Sequence, residues 1–167
     1  MGSNNRVGIG YDVHSLRAGR KLVLGGVEIF YHKGLDGWSD ADVLLHALMD
    51  ALLGAAALGD IGTHFPPGSP QYQNISSLVL LGKVRTMLDE TGWKVGNVDM
   101  MIIAEQPRLK EYIPRMIQNI AKELGLSAGD ISIKAGTNEK MGFLGEGQGM
   151  AAQAVALLER VERQNNQ

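Results

Sequence analysis

The sequence predicts a two-layer sandwich of α/β or α+β type in a single domain. Three observations carry that expectation. Strand-like and helix-like segments alternate along the chain, and strands flanking helices pack as layers. One long apolar helix is written into residues 43–58. The chain has 167 residues with 44% hydrophobic content, enough for one core.

The strand and hairpin segments come first. Arg6 to His14 alternates apolar with small or polar residues and reads as a strand ending at Asp12-Val13-His14. With a period of two, Asp12 and His14 point to the same side. Leu22 to Ile29 reads as a hairpin turning at Gly25-Gly26. Tyr31 to Gly37 reads as a loop. Ser39-Asp40-Ala41-Asp42 resembles an acidic capping box, so a helix is expected to start at Ser39 and run to about Leu58. Asp42, His46 and Asp50 are spaced by four and share one helical face. A polar stripe on so apolar a helix must meet water, a partner or a ligand.

Gly59 to Gly62 ends that helix, and Thr63 to Asn74 is a Pro/Gly-rich loop, either a mobile lid or a connector. A second helix starts at Ser76 or Ser77 and runs to about Glu90. Val98 to Ile103 is β-type. A third helix is expected from about Leu109 to Leu124, with Pro114 disturbing its first turn and Gly125 stopping it. Ile131 to Ala135 is a strand, and Gly136 to Gly149 a glycine-rich loop. Met150 to Val161 suits either a helix or a strand buried on both faces. Residues 1–5, with no apolar targeting core, read as native slack or an appended remnant, and 162–167 as a tail.

Composition excludes several classes. The net charge is −2, too weak a field for a general nucleic-acid or anionic-membrane binder. No cysteine is present, so a zinc site must use histidine and carboxylate. No apolar run reaches the ~18 residues of a membrane span. Gly145 to Gly149 lacks the spacing and βαβ context of a dinucleotide fingerprint, and no Walker A sequence occurs.

Asp12, His14 and His46 have the composition of a catalytic zinc site with an open position. The plainer account is a capping Asp12, an exposed His14 and a core-edge His46. Asp42 and Asp50 are either partners fixing the His46 ring or a simple cap and a solvated helix residue. Asp60-Ile61-Gly62 offers a carboxylate and backbone amides to a sugar hydroxyl or phosphate, or is merely a helix stop. The Gly136-Thr137-Asn138-Glu139-Lys140 turn could cradle an oxyanion, with Glu139 on a hard divalent cation, or be a simple loop.

At these residues the chain resembles the 2-C-methyl-D-erythritol 2,4-cyclodiphosphate synthase family of non-mevalonate isoprenoid biosynthesis. The matching stretches are GYDVH, VLGGVEI, SDADVLLHALMDALLGAAALGDIG with FP after it, GNVDMMIIAEQP and IKAGTNEKMGF, in family order. The resemblance implies an α+β two-layer sandwich: a mixed, mainly four-stranded sheet, helices on one face and a small hairpin. It implies a cytoplasmic homotrimer with active sites between subunits, a processed plastid-type form being the alternative. It also selects a strand for the C-terminal segment.

By the family pattern Asp12, His14 and His46 bind zinc. Glu139 holds a second cation, magnesium or manganese, with the substrate diphosphate. Thr137 is the transition-state-stabilising position. Asp12, His14, Trp38, Ser39, Asp60, Ile61 and Gly62 contact substrate, and Phe65 to Ser69 borders it. Ala104, Pro107, Arg108, Leu109 and Lys110 build the cytidine pocket. Gly136, Thr137, Asn138 and Glu139 face the diphosphate, with Phe143 and Glu146 further along. The implied reaction closes 4-diphosphocytidyl-2-C-methyl-D-erythritol 2-phosphate to a cyclic diphosphate and releases CMP. Its nucleophile belongs to the substrate.

Three positions depart from the pattern. Trp38 replaces a common histidine at a catalytic position, and an indole N–H can donate but cannot become cationic. Pro67 replaces a common aspartate. Glu146 replaces an arginine that binds a diphosphate in the central cavity of some relatives, so no isoprenoid diphosphate is expected there. The alternative functions are a zinc-dependent phosphodiester hydrolase and an inactive trimeric nucleotide-binding protein.

Overall fold

The computed structural model describes residues 4–161; residues 1–3 of the segment read as slack or an appended remnant, and the tail 162–167, lie outside them. In chain order the elements are β1 (Asn5–Ala18), β2 (Leu22–Leu24), β3 (Val27–Ile29), β4 (Lys33–Leu35), α1 (Val43–Ala56), α2 (Ile61–His64), α3 (Ser77–Glu90), β5 (Trp93–Ile103), α4 (Ile113–Leu124), β6 (Ile131–Gly136), α5 (Gly142–Gly145) and β7 (Gly149–Arg160). A mixed five-stranded sheet has the order β4-β1-β7-β5-β6, and β2-β3 form a separate two-stranded ribbon. The fold is α+β as expected. Four long strands make the sheet, and the short β4 adds a fifth at its edge.

β7 is the centre of the sheet, antiparallel to both β1 and β5, while β5 and β6 are parallel with α4 in the crossover. The terminal segment, ambiguous from its residues, is therefore a strand. It is not buried on both faces. Met150, Ala152, Ala154, Ala156 and Leu158 are buried, whereas Gln153 and Val155 are exposed.

α1 lies against β1 because β1 presents glycine there. A Cβ on Gly8 would stand 1.9 Å from the Ala51 carbonyl oxygen, and one on Gly10 1.9 Å from that of Ala47. The small residues of β1 face the helix. Its large ones, Val7, Ile9, Tyr11 and Val13, face outward and are exposed. The helix side is a closed core, with Leu44, Leu45, Leu48, Leu52 and Leu53 all inaccessible. Among the described residues no helix is long and apolar enough to cross a membrane.

Several boundaries differ from the sequence expectation. Asn5 already belongs to β1, and the strand continues past His14 to Ala18. Its last turn of pairing is with β4, which the sequence reads as loop. The helix cap is Asp42, not Ser39: the Asp42 carboxylate accepts from Leu45 N–H at 3.1 Å. Ala41 sits in the left-handed region, φ 56°, which keeps residues 39–41 out of the helix. α4 starts at Ile113, so Pro114 falls in its first turn, where a missing N–H costs nothing. The Gly25-Gly26 turn has φ of 56° and 68°, as a two-residue hairpin turn requires. The 136–149 loop contains the short helix α5.

Candidate metal and nucleotide sites

Gly8, Gly10, Asp12 and His14 lie on one face of β1, the face toward α1. Where the glycines end, the two polar side chains meet His46, one turn into the helix. Nε2 of His14 and Nδ1 of His46 each lie 2.9 Å from Asp12 Oδ2. The two ring nitrogens are 3.1 Å apart. Three donor atoms thus converge on one point, within 4.8 Å of one another. Ligands held tetrahedrally at zinc distances are roughly 3.3 Å apart. The donor set, two imidazoles and one carboxylate, therefore fits a small divalent cation in chemistry and in span.

The electrostatics agree. Burial pushes the Asp12 carboxyl up, but hydrogen bonds from His14 and His46 outweigh it and hold it well below the usual carboxylate range. Burial lowers the His14 imidazole, and the Asp12 hydrogen bond and charge more than reverse that. Asp12 is thus an anion ready to be shared. His14 Nδ1 is 2.6 Å from the Asp36 carbonyl, which makes it the donor and leaves Nε2 to face the cluster.

The other two acids of the α1 stripe do not touch the His46 ring. Asp42 is fully buried and accepts from Gly25 N–H at 3.0 Å and Gly26 N–H at 2.7 Å, tying the hairpin turn to the helix start. Asp50 accepts from Ile61 N–H at 2.8 Å and so fixes the start of α2. The partners of His46 Nε2 are instead Ser77 Oγ at 3.1 Å and Ser39 Oγ at 3.2 Å. Nothing local in the sequence marks Ser77, which arrives from another helix.

The cluster opens into a cavity of about 350 Å³. Trp38, Ser39, Ile61, Gly62, Phe65 and Pro67 line it, joined by Tyr72 and Leu80. Asp60 and Ser69 stand beside that wall. Asp60 caps α2 through Thr63 N–H at 2.8 Å. With Ile61 N–H on Asp50 as well, one of the amides expected to be open to a ligand is occupied, and the Asp60 carboxylate is engaged. The Trp38 indole N–H donates to the Ser69 carbonyl at 2.9 Å, and Asn74 N–H donates to the Trp38 carbonyl at 2.8 Å. Trp38 thus fastens the 65–74 loop at its middle and at its last residue, and its one side-chain donor is engaged there.

A second cavity of about 320 Å³ lies at the far side of the sheet. Ala104, Pro107, Arg108, Leu109, Lys110, Gly136 and Thr137 line it. Glu105, not singled out from the sequence, organises the adjoining turn: its Oε1 accepts from Asn138 N–H at 2.8 Å and Lys140 N–H at 3.4 Å. Thr137 Oγ1 donates to Glu139 Oε1 at 3.0 Å, and Glu139 and Lys140 are both left-handed. Phe143 is exposed on α5 and lines neither of these cavities. Glu146 borders a third, of about 270 Å³, with Tyr31 and Lys33.

Within one chain the two clefts do not meet. β7 and β5 stand between β1, which carries Asp12 and His14, and β6, which leads into Thr137. Three strand spacings are about 14 Å.

An α+β sandwich that brings Asp12, His14 and His46 together as a possible metal site at one cavity, with a second cavity beside the 136–140 turn, has the frame of a metal-site enzyme. The chain belongs to the YgbB family, whose model matches residues 5–159. It is 56% identical over 154 residues to the 2-C-methyl-D-erythritol 2,4-cyclodiphosphate synthase of Dehalococcoides mccartyi, covering 92% of this chain and 98% of that one. The bifunctional IspDF of Campylobacter jejuni superposes with a TM-score of 0.91 at 40% identity, over 95% of this chain and 43% of that longer one. IspF of Plasmodium falciparum in complex with CDP superposes with a TM-score of 0.84 at 32% identity, over 97% and 100%.

Proposed function

We propose that this chain closes 4-diphosphocytidyl-2-C-methyl-D-erythritol 2-phosphate to 2-C-methyl-D-erythritol 2,4-cyclodiphosphate, releasing CMP. The observation that carries the reading is the convergence of Asp12, His14 and His46 on one point at the mouth of an apolar cavity. A phosphate oxygen of the substrate attacks the β-phosphorus. The bond from that phosphorus to the α–β bridging oxygen breaks, and the bridging oxygen leaves with CMP. The chain need supply no nucleophile. Its task is positioning and charge neutralisation.

Asp12, His14 and His46 would hold zinc, which suits nitrogen and carboxylate ligands. When bound it supplies Lewis-acid polarisation of the phosphate under attack. Glu139 would hold magnesium or manganese, since such a cation keeps phosphate and water as its main ligands and needs few from protein. Ile61, Phe65, Tyr72 and Leu80 exclude water around the reacting end. Arg108 and Lys110 bring positive charge to the nucleotide end, and the Thr137 hydroxyl stands at the diphosphate between them. CDP in the Plasmodium relative supports a cytidine diphosphate in the second cavity.

A homotrimer resolves the separation of the two clefts. The outward face of β1, with Val7, Ile9, Tyr11 and Val13 exposed, and Val155 beside it on β7, supports self-association, because so large an apolar patch rarely stays in water. A neighbouring copy would then bring its 136–139 turn to this chain's metal cluster. We assign the whole of 1–167 to one domain and place it in the cytoplasm. Glu146 would carry negative charge toward the trimer axis, opposing an isoprenoid diphosphate there.

The test is product analysis by ³¹P NMR on the synthetic substrate, with and without chelator. A cyclic diphosphate that disappears on chelation and returns with zinc and magnesium supports the reading. An open-chain phosphate would mean a hydrolase, and no turnover a binding protein.

A further inference from the structure

Every neutral imidazole that binds a cation must keep its proton on the other nitrogen. For His14 a carbonyl oxygen enforces this. For His46 the partners are two hydroxyls, and a hydroxyl can either give or take. In the metal-free protein Asp12 Oδ2, 2.9 Å from Nδ1, competes for the ring proton; on the Nε2 side the role of the hydroxyl is set one residue further out. Ser77 Oγ donates to Asp40 Oδ1 at 2.5 Å, and Ser77 N–H donates to Asp40 Oδ2 at 2.9 Å. An ionised carboxylate only accepts, so the Ser77 hydroxyl proton lies toward Asp40. The Ser77 oxygen is then left as an acceptor toward His46.

Ser77 is fully buried, so no water competes for that proton. Ser39 Oγ accepts from Ala41 N–H at 3.1 Å and also faces the ring. Alone it would leave the tautomer open.

We propose that Asp40 and Ser77 are positioning residues that fix His46 as the Nε2–H tautomer and so present an unprotonated Nδ1 to the cation. The relay runs Asp40 carboxylate, Ser77 hydroxyl, His46 ring, and it rests on the reading of Asp12, His14 and His46 as a metal site. It has a consequence for Ser39. With Nε2–H already donating, the Ser39 hydroxyl proton is free to turn into the cavity it lines. The α3 start is also explained. No side chain of its own caps it, because Asp40, 37 residues earlier, takes the Ser77 N–H.

The experiment uses the full chain labelled with ¹⁵N-histidine. Long-range ¹⁵N–¹H correlation spectra of the zinc-loaded protein report which His46 nitrogen bears hydrogen and how fast that hydrogen exchanges with water. Zinc affinity is read in parallel by competition with a chromophoric chelator. The expected result is a slowly exchanging Nε2–H in the wild type. Ser77→Ala and Asp40→Asn should speed that exchange and weaken zinc about 10–100-fold, as loss of an outer partner of a metal-bound histidine does. Ser77→Thr, which keeps the hydroxyl, should restore both. A zinc-loaded wild type whose His46 hydrogen sits on Nδ1 would overturn the relay, and that measurement needs no variant to fold. So would unchanged exchange or zinc affinity in a folded Ser77→Ala or Asp40→Asn chain. A wild type that binds no zinc would overturn the metal reading on which the relay rests.

Discussion

The two functional regions are built on opposite plans. At the metal corner each ligand comes from a regular element, β1 or α1, and both imidazoles have their outer nitrogens engaged. Its geometry is set by the core, down to the two glycines that let α1 approach. At the turn proposed to face the diphosphate, residues 137–140 are irregular backbone, largely exposed, and braced from below by one carboxylate, Glu105. The first region is complete before substrate arrives. The second is open, and in the proposed trimer the ligand and a neighbouring copy would complete its surroundings. A site assembled this way can keep one half rigid for a cation while the other adapts to a flexible diphosphate.

The largest expected effect falls on the rigid half. His46→Ala should lower turnover at least about 10³-fold, several kcal/mol of Lewis-acid stabilisation, while size-exclusion still shows the assembled oligomer. Turnover near wild type would remove His46 from the metal site. On the adaptable half, Thr137→Ala should cost about 10²-fold in kcat and leave zinc affinity unchanged. A parallel loss of zinc would mean the two regions are one structural unit.

A smaller effect is expected between them. Trp38→Phe keeps the ring and removes its hydrogen bond to Ser69, worth about 1 kcal/mol. KM should rise a few-fold with little change in kcat. A fall in kcat alone would instead give the indole a role in the chemical step.

The last prediction falls outside both regions, on the buried acid that ties hairpin to helix. Burial, with the charge of Asp40 adding, pushes the Asp42 carboxyl up to about 7 against three backbone N–H donors. In the unfolded chain it titrates near 3.8. Between those values the folded state holds a proton that the unfolded state has lost. Stability from this group is therefore full below about pH 4, falls as pH rises toward 7, and is flat above, with a slope of at most about 1.4 kcal/mol per unit. Urea midpoints from pH 5 to 8 should decline less in Asp42→Asn than in the wild type. Equal declines would place the titration elsewhere.

Much of this was legible locally. The Gly25-Gly26 turn, the α3 span, the Gly125 stop and the β6 run follow from residues within a few positions of one another. The alternation in β1 was also legible, but not which side is inside. Glycine and alanine form the buried seam because the helix comes so close, and the larger apolar residues face outward. β4 is three residues long, too short for a period to register. The Ser39 capping box failed because its hydroxyl has a different acceptor role, on Ala41 N–H beside the His46 ring. Asp42 and Asp50 share a helix face with His46 yet serve the hairpin and α2. Spacing shows which side chains are neighbours, not what each is bonded to. The true ring partner, Ser77, lies 31 residues away and could only be found in three dimensions.

The separation of the clefts is tested most directly by mixing. His46→Ala and Thr137→Ala chains, each nearly inactive alone, are co-expressed and purified as mixed trimers. If the metal corner of one copy works with the turn of the next, one site of the three in each mixed trimer combines two intact halves, and activity should return to about a third of wild type. Mixed trimers no more active than either variant alone would contradict the account, because both halves would then have to come from one chain.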